Sequence, residues 1–108
     1  MFQKSHKQID SNFRTLHLAD LLYNQIYELK LPYYLKDQLR RASSSVVLNL
    51  VEGNARRTRL DKRRMYNYAH ASAKEVQACL FLAKTVDTEL ISLCDSVCAH
   101  TYKLVKAS

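Results

Sequence analysis

The chain is expected to fold as an all-α protein, an antiparallel up-down four-helix bundle, and three observations predict it. One glycine and one proline in 108 residues leave too few turn formers for a β protein. Apolar residues recur at steps of three and four through four successive segments, the period of a helix that buries one face. Only short connections separate these segments, which makes neighbouring helices antiparallel. A hydrophobic fraction of 47% is too high for a disordered chain. At this length the natural count is one domain over residues 1–108.

Residues 1–10 are polar and read as a lead-in. Asp10 and Ser11 both have side chains of the N-cap type. The first helix then carries Leu16, Ala19, Leu22, Tyr23, Ile26 and Leu29 on one broad face. Pro32 ends it, because the residue before a proline avoids helical geometry. The second helix runs from near Tyr33 to Glu52, where Gly53 can take the left-handed C-terminal position. Thr58 caps the third helix, with Asp61 at the third helical position of a capping box. Met65, Ala69, Ser72, Val76, Cys79, Leu80 and Ala83 carry that helix to about Val86. Asp87 or Thr88 begins a fourth helix bearing Leu90, Cys94, Val97, Thr101, Leu104 and Val105.

The second helix breaks the rule of one apolar and one polar face. Leu39, Ala42, Val46 and Leu50 form a stripe, while Val47, Leu48 and Val51 spread apolar surface well away from it. Such a helix must be buried on most of its circumference, either centrally in a bundle or against another subunit. Val47, Leu48 and Val51 are therefore the candidate oligomer interface. The narrow polar strip contains Arg41, Ser45, Asn49 and Glu52, which can form a hydrogen-bonded ladder across to Ser72 and Glu75. One reading of the ladder is an active site built on Glu52. The other is a structural network that fixes helix register. No nucleophile–base pair or metal set accompanies it, so no catalytic residue is assigned and an RNA-acting enzyme is the lesser alternative.

Six of the nine residues from Arg56 to Arg64 are cationic: Arg56, Arg57, Arg59, Lys62, Arg63 and Arg64. Arg56 and Arg57 follow the second helix, where the dipole favours them. Lys62, Arg63 and Arg64 open the third helix, where it disfavours them by a few tenths of a kcal/mol each. Cations placed against a dipole point to an anionic partner, with phosphate the best fit and Tyr66 and Tyr68 at hand to pack on a base or sugar. A net charge of +7 points the same way. No groove-reading motif is present, so binding to RNA or DNA would be electrostatic and tolerant of sequence. The remaining tyrosines suit a half-wet seam as well as they suit stacking.

Cys79, Cys94 and Cys98 lie inside apolar helical patterns and read as buried thiols of a reducing cytoplasm. Cys94, Cys98 and His100 lack a fourth metal ligand, so neither metal nor other cofactor is expected. Residues 1–10 contain no apolar h-region, and no apolar run approaches the ~20 residues of a membrane span. The expected location is cytoplasmic.

Two blocks carry a family resemblance. The stretch Leu39-Arg40-Arg41-Ala42-Ser43-Ser44-Ser45-Val46-Val47-Leu48-Asn49-Leu50-Val51-Glu52-Gly53 resembles the L-R-R-A-x-x-S-I-x-x-N-I-A-E-G signature of the bacterial four-helix-bundle proteins encoded by intervening sequences in 23S rRNA genes. Val51 stands where that family usually has alanine. Ala69-His70-Ala71-Ser72-Ala73-Lys74-Glu75 is similar to its A-x-G-S-x-x-E block, with Ala71 in place of glycine. Tyr27, Pro32, Leu35 and Gln38 also fall where the family expects them, and the likeness spans roughly residues 13 to 86. More distantly the chain resembles the accessory variability determinant of diversity-generating retroelements, a pentameric bundle that assists a reverse transcriptase. The resemblance implies a four-helix bundle, self-association, five subunits as the candidate count, and a reverse transcriptase as a candidate partner. Together with the basic segment it gives the functional expectation: a non-enzymatic, homo-oligomeric accessory or scaffold protein associated with nucleic acid. The alternative is an adaptor whose basic face docks an acidic protein.

Overall fold

Local signals set most of the helix boundaries, and packing moves the rest. A computed structural model describes residues 11–108, with side chains from Phe13 onward; the Asp10 and Ser11 capping side chains lie outside the described residues. Four helices follow one another: α1 (Ser11–Tyr27), α2 (Tyr33–Ala55), α3 (Arg59–Leu82) and α4 (Thr88–Ala107). No strand occurs among the described residues. Helices α1 and α3 each pack against both α2 and α4. The pairs α1/α3 and α2/α4 are therefore the diagonals of a four-helix bundle, and connections at 28–32, 56–58 and 83–87 keep neighbours antiparallel.

Two caps act as their residue types require. Thr58 Oγ1 accepts the Asp61 amide at 3.0 Å, and Asp87 Oδ1 accepts the Leu90 amide at 3.0 Å, each satisfying an orphan N–H of a first helical turn. Three other boundaries differ from expectation. Helix α1 stops at Tyr27, where Glu28 and Leu29 donate back to Gln25 and Ile26 in a tightened last turn. Pro32 is thus the N-cap of α2, its carbonyl accepting from Leu35 and Lys36. Helix α2 runs through Gly53 to Ala55, and no glycine has positive φ. Helix α3 ends at Leu82 because Lys84 adopts the left-handed conformation at φ 57°. Thr85 N bonds Leu80 O and Lys84 N bonds Phe81 O, which is the Schellman pattern. A lysine at that position carries a backbone cost of about 1–2 kcal/mol that a glycine would avoid.

The core is the sum of the four stripes. Leu16, Ala19, Leu22 and Ile26 of α1 meet Leu39, Ala42, Val46 and Leu50 of α2, with Ala69, Ala73, Val76 and Leu80 of α3 and Leu90, Cys94, Val97 and Leu104 of α4. Cys79, Cys94 and Cys98 are all buried and unpaired. The Cys94 thiol points to the Ala73 carbonyl at 4.0 Å; the adjacent Cys98 thiol and burial raise Cys94, proximity to Cys94 lowers Cys98, and burial raises Cys79. Among the described residues no group of three His, Cys, Asp or Glu side chains could hold a metal ion. None of their helices is long and apolar enough to cross a membrane.

The surplus apolar surface of α2 is divided. Val47 packs against the core, but Leu48 is 63% exposed and Val51 is exposed beside it. Leu48 borders a groove that it shares with Val47 and with Asp20 and Tyr23 of α1.

Candidate nucleic-acid interface

Antiparallel topology gathers one end of the bundle from four separate places in the sequence. The start of α1, the end of α2, the start of α3 and the end of α4 meet there. Among the described residues that end holds Arg14, Arg56, Arg57, Arg59, Lys62, Arg63, Arg64, Lys103 and Lys106 against only Glu52 and Asp61. The other six described cations are spread along the bundle among seven acids. The net positive charge of the described chain is therefore confined to one end. Arg14, Lys103 and Lys106 belong to it although they lie far from the basic segment in sequence; only the topology reveals them.

Within this end the cations differ in what they already hold. Arg57 and Arg59 are exposed. Arg56 bonds Glu52 at 3.1 Å, one helical turn back, and Arg64 lies 3.6 Å from Asp61. Arg63 donates to the main-chain carbonyl of Ser108 at 3.0 Å, tying the start of α3 to the end of α4. Lys62 was expected to suffer from the α3 dipole. Instead its Nζ turns back to the Gly53 and Asn54 carbonyls, each at 3.4 Å. These are last-turn acceptors of α2, so Lys62 sits at the favourable, negative end of the neighbouring dipole. Its placement no longer argues for an anion.

The expected aromatic partners also separate. Tyr66 is core: it is 2% exposed, and its hydroxyl donates to Asn54 Oδ1 at 2.6 Å. No base could reach its ring. Tyr68 remains exposed. Tyr102, one of the tyrosines that suit a half-wet seam or stacking equally by sequence, is half exposed on α4, with Lys106 over its ring at 5.9 Å and the His70 ring at 5.8 Å. His70 is tied inward. The Thr101 hydroxyl donates to the Val97 carbonyl at 2.9 Å and accepts from His70 Nδ1 at 2.9 Å. Burial, and then the Lys74 ammonium, hold the His70 imidazole below its ordinary pKa.

The polar ladder is shorter than expected and is centred differently. Ser45 and Ser72 share a hydrogen bond of 2.9 Å across α2 and α3. Asn49 Nδ2 donates to the Ser45 carbonyl at 2.9 Å and to its hydroxyl at 3.1 Å, and Gln38 reaches Glu75. Arg41 and Glu52 stand outside this network, both exposed. At about 100° per residue they lie roughly 40–60° from the line through Gln38, Ser45 and Asn49, which is enough to turn them to solvent. Gly53, not Glu52, continues the seam. Glu52→Ala should consequently change stability by only about 0.3–0.5 kcal/mol, as for an exposed i,i+4 pair. A thermal melt shifted by several degrees would show that Glu52 is held more tightly than this geometry allows.

The model of the 23S rRNA-intervening sequence protein family matches residues 11–104. The chain belongs to that family. The match runs from the first described residue of α1 into the last turns of α4, so all four helices of this 23S rRNA-intervening sequence protein are family structure. Comparison with curated proteins returned no match.

Proposed function

We propose that this 23S rRNA-intervening sequence protein is a non-enzymatic accessory or scaffold protein that holds RNA or DNA by its phosphates at the basic end of the bundle. The observation that carries this reading is the confinement of the net positive charge to one end. A cluster of that kind raises the local concentration of a polyanion and releases condensed counterions on binding. Arg57 and Arg59, exposed at the α2–α3 connection, are the cations best placed for phosphate. Arg56, Lys62, Arg63 and Arg64 combine structural contacts with a supporting field. The setting proposed for this activity is the cytoplasm.

Self-association is part of the proposal. Leu48 and Val51 leave apolar surface on the outside of α2, and a second copy covering it would bring several basic ends together. Linked copies bind a polyanion far more tightly than one does; five subunits and a reverse transcriptase partner are the arrangement suggested by the likeness to retroelement accessory proteins. Light scattering at micromolar concentration is expected to give a mass above the 12.5 kDa of one chain; a monomeric mass would remove the oligomer from the proposal. The binding itself is tested by fluorescence anisotropy with mixed-sequence RNA and DNA over a range of salt. Affinity should fall steeply as salt rises. A wild type that binds neither at near-physiological salt would end the nucleic-acid reading.

A further inference from the structure

We infer that the α3–α4 edge of the basic end is a platform for an unpaired nucleobase, with the Tyr102 ring as the surface on which the base lies. The inference rests on the phosphate-binding reading above and goes beyond it by specifying a single strand as the ligand.

Four observations meet at this ring. Tyr102 is 52% exposed, so part of its aromatic surface is open to a ligand. It is oriented from within, because the His70 ring packs on it at 5.8 Å, tilted by 55°. His70 is in turn fixed by the buried Thr101 hydroxyl. A ring already held in place loses less freedom on stacking than a mobile one. The third observation is the Lys106 ammonium at 5.9 Å over the ring, a cation that can leave the aromatic face for a phosphate when a base takes its place. The fourth is Arg63, whose bond to Ser108 keeps a guanidinium at the same seam. Aromatic surface flanked by cations is what a flexible strand requires, since its bases stack and its backbone seeks positive charge. A duplex keeps its bases stacked on one another and offers a lateral tyrosine only sugar and phosphate.

Other exposed tyrosines do not meet these conditions. Tyr33 and Tyr34 lie at the start of α2, at the opposite end of the bundle. Tyr27 already carries the Arg40 guanidinium at 4.1 Å and stacks with Tyr23. Tyr68 is as exposed as Tyr102 and serves as a control, since among the described residues no ring or cation packs on its aromatic face.

The test uses the full chain with labelled strands of about 20 nucleotides, the length of a few stacking sites, as DNA, as RNA and as DNA duplex. Tyr102→Ala is expected to weaken single-strand binding by about 5- to 100-fold. It should leave the duplex affinity and the salt slope unchanged, whereas Tyr102→Phe and Tyr68→Ala should bind as the wild type does. A loss with both strands, or with one alone, supports the platform and shows which sugar it accepts. Because the chain has no tryptophan, Tyr102→Trp supplies a single indole whose emission should be quenched by single strands and not by duplex. Helical circular dichroism checks that each variant is folded. Should Tyr102→Ala bind single strands as tightly as the wild type while arginine variants lose affinity, the platform is wrong and the phosphate reading stands. Should the wild type bind no strand at all, the phosphate reading falls, and the platform with it.

Discussion

Replacing Arg57, Arg59, Arg63 and Arg64 together by glutamine is expected to reduce nucleic-acid affinity at least ~tenfold at low salt and to flatten its salt dependence. Each phosphate neutralised on a single strand contributes about 0.7 to the slope of log affinity against log salt, and on a duplex about 0.9. Removing four cations should therefore lower that slope by up to roughly three on a single strand and roughly three and a half on a duplex. Arg57 and Arg59 should account for more of the loss than Arg63 and Arg64, which are also engaged by the Ser108 carbonyl and the Asp61 carboxylate. All four are exposed, and exposed ion pairs contribute ~0–1 kcal/mol each, so helical content should be retained. Lys62 is left in place because it caps α2 through the Gly53 and Asn54 carbonyls. An adaptor that docks an acidic protein predicts something else: no appreciable nucleic-acid binding by the wild type at near-physiological salt. Anisotropy titrations at several salt concentrations decide between the two.

Gly53→Ala should destabilise the bundle, although alanine favours a helix over glycine by about 1 kcal/mol. A Cβ at residue 53 would stand 2.5 Å from Tyr66 Cε1, 2.7 Å from Cδ1 and 3.2 Å from Met65 Cβ. The Tyr66 ring has little room to yield, being buried and bonded through its hydroxyl to Asn54. Overpacking of this kind costs about 1–3 kcal/mol, so after the helix gain a net loss of up to about 2 kcal/mol is expected. At roughly 4–8 °C per kcal/mol for a domain near this size, the melting temperature should fall by several degrees. Adding Tyr66→Leu to Gly53→Ala should cost less than the sum of the two single changes, because the pair shares one space. A single Gly53→Ala variant that melts higher than the wild type would show that α2 and α3 can separate enough to admit a methyl group.

Local chemistry was legible in the sequence because it acts within a turn or two. The caps at Thr58 and Asp87, the stripe Leu39, Ala42, Val46 and Leu50, and the buried cysteines all follow from spacing and residue type. The basic segment is equally plain as a run of charge. What its cations hold is not plain, because Lys62 takes its partners from the helix beside it and Arg63 takes its partner from α4.

The sequence by itself determined an all-α bundle, the number of its helices, most of its core and the sign of its charge, since periodicity, capping and composition are properties of neighbouring residues. Tertiary structure decided which of two adjacent residues lies on a seam. The α2–α3 contact passes through Gly53 and Tyr66 and leaves Glu52 and Arg41 in water, because adjacent residues stand about 100° apart around a helix and the neighbouring helix covers only one of them. It also decided that Arg14, the 56–64 segment, Lys103 and Lys106 share one end with Tyr102 at its edge. Only antiparallel packing brings positions so distant in sequence into one electrostatic field.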